Sequence, residues 1–570
     1  MNKSMIRYIL GSVLKIEGTL LLLPCLTAVI YQESEGIYFL LTAALCVALG
    51  MAMTFRKPKT SIFYLKEGCI ATSLSWIFLS LFGCLPFYIS GEIPSFTNAL
   101  FETISGFTTT GASILEDVEA LSHCTLLWRS FTHWIGGMGV LVFLLAIIPL
   151  SGGSNINLMR AESPGPSVGK LVPKMRYTAR LLYGIYIGLT VIEIVLLLAG
   201  HMPLFDSLCT AFGTAGTGGF GIKNDSLIGY SSYIQWVVTI FMVLFGVNFN
   251  AYYFLLFRQF KKALSMEEVR YYFLIIFTAV AVIAFNIHSM CAGAFDAISK
   301  AAFQVASIIT TTGFSSANFD LWPQTSKTIL VLLMFVGACA GSTGGGIKVS
   351  RFVILCKTVV KELSSYIHPK IIRKVKVDGK PVEHEVVRAT NVYFITFMIL
   401  FSFSVLALSF EGKDLVTNFT AVAATINNIG PGLELVGPTQ NFMHFTVFSK
   451  YVLMFDMLAG RLELFPLLIL FHPTIWRELF AHKAQERRIS RLPKDLDRCS
   501  TRKIASLIVS PPPFRTHAPG SARHRGCPCR DSCRFRRSKS AGRPSQARSC
   551  PCRPCAFPSR AAEARPSASP

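Results

Sequence analysis

The sequence predicts an all-α integral membrane protein of about ten transmembrane helices, with four re-entrant pore hairpins arranged as four helix-hairpin-helix pseudo-repeats. Three observations carry this expectation. The 570 residues are 52% hydrophobic and only 15% charged, with a mean hydropathy of +0.48, so too little polar surface exists to clothe a water-soluble particle of this size. Apolar stretches long enough to cross a bilayer follow one another. Between several of them lie shorter stretches rich in Gly and Thr, recurring about every hundred residues.

The spans are expected near residues 8–30, 36–54, 68–90, 124–150, 178–200, 229–257, 271–290, 326–347, 390–410 and 446–471. The first of these carries Lys15 and Glu17 and has no small-residue cleavage site, so it reads as a retained helix rather than a cleaved signal. The stretches at 95–115, 203–221, 294–315 and 414–432 are too short and too Gly-rich to cross alone, and read as re-entrant.

Charge placement gives an independent reading of sidedness. Basic clusters fall at Lys3 and Arg7, at Arg56 to Lys66, at Arg160 to Arg180, at Arg258 to Arg270, at Lys348 to Arg388 and at the C-terminus. These positions are expected in the cytoplasm, together with both termini. The segment Gly91 to His123 has no Lys or Arg and carries Glu92, Glu102, Glu116, Asp117 and Glu119, so the hairpins enter from outside. The chain then divides into a helix pair (1–66), four pore units (67–170, 171–265, 266–375 and 376–480) and a tail (481–570).

The net charge of +23 does not indicate a nucleic-acid partner, because the tail holds 21 of the 55 Lys+Arg and only 5 of the 32 Asp+Glu. Its Pro, Ser and Arg bias lacks apolar periodicity and is expected to be disordered. Seven of the 16 cysteines lie there. Cys552-Arg-Pro-Cys555 has no His partner at ligand spacing, so zinc is not expected, and the scattered remainder form no disulfide framework.

In register by counting, the short stretches give Thr108-Thr109-Thr110-Gly111-Ala112, Ala215-Gly216-Thr217-Gly218-Gly219, Thr310-Thr311-Thr312-Gly313-Phe314 and Asn427-Asn428-Ile429-Gly430-Pro431, with Gly spacings of 107, 95 and 117 residues. A short helix that stops part-way, followed by irregular backbone, is tolerated in a membrane only where it lines a wet cavity. Four copies about one axis can aim carbonyl oxygens inward to replace a cation's hydration shell, with Gly permitting the dihedrals this needs. Close packing of small residues would explain one such stretch; four at near-regular spacing point to a pore.

The resemblance to a known family rests on these stretches and on three further runs. They are Arg129-Ser130-Phe131-Thr132-His133-Trp134-Ile135-Gly136-Gly137-Met138-Gly139, Ala340-Gly341-Ser342-Thr343-Gly344-Gly345-Gly346-Ile347-Lys348 and Met457-Leu458-Ala459-Gly460-Arg461-Leu462-Glu463. Over about residues 1–475 the chain resembles the potassium-translocating subunit of bacterial Trk systems, TrkH/TrkG, in the Trk/Ktr/HKT superfamily. The extra helix pair before the first unit looks like TrkH rather than KtrB.

The resemblance implies potassium as the transported ion, with no organic cofactor on this chain and no catalytic residues. It implies a filter made by Thr109, Thr110, Gly111, Thr217, Gly218, Thr311, Thr312, Gly313, Asn428, Ile429 and Gly430. It also implies a gate across the pore at Gly337, Gly341, Ser342, Thr343, Gly344, Gly345 and Gly346, with Arg461 projecting toward the pore below the filter. The same run contains five Gly in ten residues, a poor continuous helix on composition alone. It is no Walker loop, having an extra residue before Lys348 and no Ser/Thr directly after it. For Arg461 the alternative is a local pair with Glu463 or Asp456. His133 and Trp134 read as core packing, and Glu193 as a structural hydrogen bond or a transport group.

Further implications are a homodimer, a cytosolic nucleotide-binding regulatory subunit, TrkA, meeting the basic 348–388 segment, and residence among the lipids of the bacterial inner membrane. The family ends near Trp476, so the tail departs from it and looks like readthrough or a frame change. The rival class is a proton- or sodium-coupled secondary transporter (a symporter), which predicts inverted repeats, whereas these repeats share one orientation. A membrane enzyme would need His, Asp, Glu or Ser converging at one depth, and the sequence offers no such cluster.

Overall fold

A computed structural model describes residues 2–58, 64–139, 175–370, 374–475 and 477. The tail, the 140–174 connection and most of the third basic cluster lie outside the described residues.

Among the described residues the chain is helical almost throughout, with one antiparallel hairpin pairing Lys376–Val377 with Lys380–Pro381. Among the described residues, six helices are long and apolar enough to cross a membrane: Lys3–Tyr31, Gly36–Thr54, Leu65–Ser90, Arg180–Ala199, Glu267–Met290 and His384–Ser409. Their outward faces are apolar, as at Phe285, which is 88% exposed, the pattern of a helix whose solvent is lipid.

The four other expected spans are the second, inner helices of the units, and among the described residues each is interrupted after 13 to 16 residues: His123–Met138, Ser232–Gly246, Gln324–Val336 and Val447–Arg461; residues 140–150 of the first expected span lie outside the described residues. The causes are local. Gly139 and Gly337 take φ of +80° and +72°, and Glu463 and Leu464 take +54° and +66°, all incompatible with continuing a right-handed helix. In the second unit the chain turns by 93° into Phe249–Leu256, with the Asn248 side chain capping the new helix at Asn250 N–H, 2.9 Å. Three inner helices also start alike, with Ser122, Ser231 and Thr446 accepting from the backbone N–H three residues on, the usual N-cap geometry.

Each unit places a short helix before its inner helix: Phe96–Phe107, Leu204–Gly216, Ala294–Ile309 and Leu415–Ile426. Each short helix packs on the inner helix of its own unit and on the inner helix of the unit before it, and the short helix of unit 1 packs on the inner helix of unit 4. The units therefore close into a ring. The N-terminal helices Lys3–Leu20 and Leu22–Tyr31 pack outside it, against Leu65–Gly83 and His123–Met138 of unit 1.

Candidate functional site

All four short helices end in the same way. Backbone N–H groups of Thr109, Thr217, Thr311 and Asn428 donate to the carbonyls three residues back, and those of Thr110, Gly218, Thr312 and Ile429 donate to Ser105, Gly213, Ser307 and Ala424, five residues back, at 2.8 to 2.9 Å. This is the Schellman ending, which requires a left-handed residue after the helix. Thr109, Thr217, Thr311 and Asn428 supply it with φ of +56°, +54°, +60° and +56°. A β-branched residue held there costs on the order of 1–3 kcal/mol, and such strain gathers at working sites.

Two residues on, Gly111, Gly219, Gly313 and Gly430 again have positive φ, +76°, +76°, +89° and +97°. This corrects the register found by counting. In the second unit Gly219, not Gly218, matches the other three glycines, and Gly218 matches Thr110, Thr312 and Ile429. The fourth unit keeps its register, since Asn is the non-Gly residue that tolerates the left-handed region best.

The four glycines are also where the ring closes. A Cβ on Gly111 would strike the carbonyl oxygen of Gly218, one on Gly219 that of Thr312, one on Gly313 that of Ile429, and one on Gly430 would lie 2.7 Å from that of Thr110. Each glycine is thus pressed on the equivalent carbonyl of the next unit, through all four. The same glycines line one cavity of about 150 Å³, shared with Glu116 and Asn224 at its rim.

Buried side chains hold the ring from behind. His133 Nδ1 donates to Gly106 O at 2.7 Å, and its Nε2 accepts from Phe220 N–H at 3.3 Å, so it braces units 1 and 2 together. Arg129 Nε meets Glu102 Oε1 at 2.6 Å and its Nη1 donates to Gly221 O at 2.7 Å, while Glu102 Oε2 accepts from Ile114 N–H at 3.0 Å. Asn428 Nδ2 donates to Thr110 Oγ1 at 3.0 Å and to Met457 O at 2.9 Å, linking units 4 and 1. Glu102 is therefore an internal brace and not an exposed acid, and Glu92 accepts from Ser122 N–H and from the Thr125 hydroxyl. Glu116, Asp117 and Glu119 stay exposed. The Asn224 amide, with the Glu119 N–H, holds the Asp117 carboxyl below its ordinary range, so it remains ionised at neutral pH.

Below the ring lies the Gly-rich run. After the inner helix of unit 3 stops at Val336, residues 337–348 form a loop, with Gly337, Gly341, Gly346 and Lys348 at φ of +72°, +71°, +73° and +84°. Its Gly345 N–H donates to the Thr311 hydroxyl at 2.6 Å and its Gly346 N–H to Asn427 O at 3.1 Å. A Cβ on Gly344 would lie 2.8 Å from Thr310 O. Ser342 Oγ turns inward to Cys339 O at 2.6 Å, and Thr343 Oγ1 reaches Phe245 O of unit 2 at 3.2 Å. Lys348 Nζ donates to Gly344 O.

Arg461 donates to Thr343 O at 2.9 Å and to the carbonyls of Gly136 and Gly137. It bridges the loop to the inner helix of unit 1. Of the two local residues weighed for it, Glu463 pairs with Arg351, and Asp456 accepts from Ser404 at 2.8 Å. The loop thus touches units 2, 3 and 4 directly and unit 1 through Arg461. Glu193 is buried, with the Thr214 side chain as its polar neighbour.

The architecture is that of a multi-pass helical membrane protein whose four units close a ring around glycine-lined carbonyls. Residues 36–478 match the family described as TrkH, cation transport protein, and the chain belongs to that family. It is 36% identical over 476 residues to the Trk system potassium uptake protein TrkH of Escherichia coli strain K12, covering 82% of this chain and 97% of that protein. Against the Trk system potassium uptake protein TrkG of the same strain it is 32% identical over 488 residues, 84% of this chain and all of that protein. The crystal structure of the potassium transporter TrkH from Vibrio parahaemolyticus superposes with a TM-score of 0.75 at 33% identity, covering 84% of this chain and all of that one.

Proposed function

We propose that this chain takes up potassium across the bacterial cytoplasmic membrane through the four-unit ring, and that the 337–348 loop gates it. The observation that carries this reading is the fourfold repetition of one backbone geometry, left-handed residue, carbonyl, left-handed glycine, with each glycine seated on the next unit's carbonyl. Carbonyls so arranged can take the place of water around a dehydrated monovalent cation. Thr109, Thr110, Gly111, Thr217, Gly218, Gly219, Thr311, Thr312, Gly313, Asn428, Ile429 and Gly430 are the proposed filter.

In this reading Glu116, Asp117 and Glu119 draw cations to the outer mouth, the filter strips their water, and the loop with Arg461 controls exit to the cytoplasm. The positive charge of Arg461 raises the barrier to a cation. The membrane potential drives entry with about 2.3 kcal/mol per charge per 100 mV. No catalytic group takes part. Kinship with proteins named as members of a Trk system supports a regulatory subunit, the nucleotide-binding TrkA, docking from the cytosol on the 348–388 segment, and a homodimer in the inner membrane with both termini inside.

Expression of the chain in a strain lacking its potassium uptake systems tests the proposal. Growth at limiting potassium is expected to be restored. Failure to restore growth, with the protein shown to be in the membrane, would count against uptake.

A further inference from the structure

The loop is tied to the helix that follows it by one carboxylate that takes no part in the filter. Glu268, 8% exposed, lies in the first turn of Glu267–Ile287. Its Oε1 accepts from Ala340 N–H at 2.6 Å, inside the Gly-rich run, and from Ser350 N–H at 3.2 Å, in the first turn of Val349–Ile367 just after the loop, and its Oε2 accepts from Asn248 Nδ2 at 3.1 Å, at the bend of unit 2. A buried carboxylate is tolerated there because three donors and the positive end of a helix replace its water. The bend answers in kind, with Phe249 N–H donating to Gly341 O at 3.1 Å.

The neighbouring residue is tied to the surface. Glu267 N–H donates to Asp378 Oδ1 at 2.7 Å, in the turn of the small hairpin. The Glu267 carboxylate pairs with Lys357, whose Nζ also donates to Lys376 O of the hairpin at 2.8 Å. Two adjacent residues therefore face opposite ways, one gripping the exposed hairpin and the other the buried loop and the start of the helix after it.

We propose that Glu268 is a positioning residue that holds the 337–348 loop across the pathway, and that the hairpin at Lys376–Pro381 acts on it through Glu267, so that displacing the hairpin loosens the loop. The proposal rests on the loop being the gate only for its effect on ion flow, and not for the coupling itself. A shared rigid connection predicts that damage at either end reaches the loop by the same route, and hence that two lesions do not add.

The loop carries its own reporter. Cys339 is fully buried and free, so the rate at which a water-soluble maleimide labels it, read by mass spectrometry on the full-length protein in liposomes over a series of pH values that separates the charge lost beside the thiol from its exposure, reports loop opening. Glu268→Gln, which removes the charge while keeping the shape, is expected to raise that rate about tenfold or more, the weight of lost charge-assisted hydrogen bonds. Asp378→Ala, an exposed change that leaves the core untouched, is expected to raise it less, and the double variant no further than Glu268→Gln alone.

Cys46 and Cys209, buried elsewhere, must stay unlabelled in every variant, which separates loop opening from unfolding. A Cys339 rate that stays at the parent level in either single variant overturns the proposal. So do effects that multiply in the double variant. Faster labelling with unchanged potassium flux upholds the coupling and instead overturns the loop as gate.

Discussion

Gly313→Ser is expected to lower potassium over sodium selectivity about tenfold or more, measured as the ratio of the two ion fluxes through the purified protein in liposomes. Two costs act at one atom. The residue sits at φ +89°, where a side chain costs on the order of 1–3 kcal/mol, and the new Cβ would strike Ile429 O and lie 3.1 Å from Pro431 Cδ. The backbone must move, and the atom it pushes is one of the four ring carbonyls. Only about 1.4 kcal/mol of differential binding separates a tenfold preference from none. The effect should fall on selectivity before stability, because the surrounding short helices are already packed and capped. Unchanged selectivity and flux would remove Gly313 from the filter.

Arg461→Ala is expected to raise basal potassium flux about tenfold or more in protein reconstituted without a cytosolic subunit. Two effects add. A unit charge acts on a nearby cation with about 4 kcal/mol at 4 Å in a medium of effective dielectric 20, and its loss lowers that barrier. The guanidinium also ties Thr343 O to Gly136 O and Gly137 O, so its loss frees the loop from unit 1. Arg461→Lys separates the two, since it keeps the charge but cannot reach three carbonyls with one planar fork. An intermediate flux is expected for Lys. Flux in Arg461→Ala at or below the parent level would show that this side chain is no part of the barrier.

How much of this was legible in the sequence depended on distance along the chain. The six full spans and the four short helices follow from local apolar length and composition, and the Gly-rich run announced the break after Val336. Where glycines crowd, counting failed: Gly216, Gly218 and Gly219 all offer themselves in unit 2, and only the left-handed Thr217 decides that Gly219 aligns with Gly111. Inner helices that looked continuous, such as 446–471, stop because Glu463 and Leu464 adopt positive φ, which no apolar count reveals.

The braces were hidden for another reason. Glu102 with Arg129, Arg351 with Glu463 and Glu268 with Ala340 join residues 27, 112 and 72 positions apart, and their helices must pack before they meet. A signal was nonetheless present, since Glu102, Arg129 and Glu268 are ionisable residues in helices with few charges, where such groups face a partner. Glu102 was counted among the acidic residues that mark the outer side, and charge alone marks a side of the membrane and not a direction. His133 was read as packing, and it does pack; what the sequence withheld is that it packs between the returning segments of units 1 and 2.

One ring of four equivalent backbone segments is proposed to pass potassium. The most direct measurement is the ion flux of the unaltered full-length protein in liposomes under an applied potential, with potassium or sodium as the only cation. Potassium flux that exceeds sodium flux and reverses with the potential is the expected result. No cation flux, or equal flux of the two ions, would contradict it.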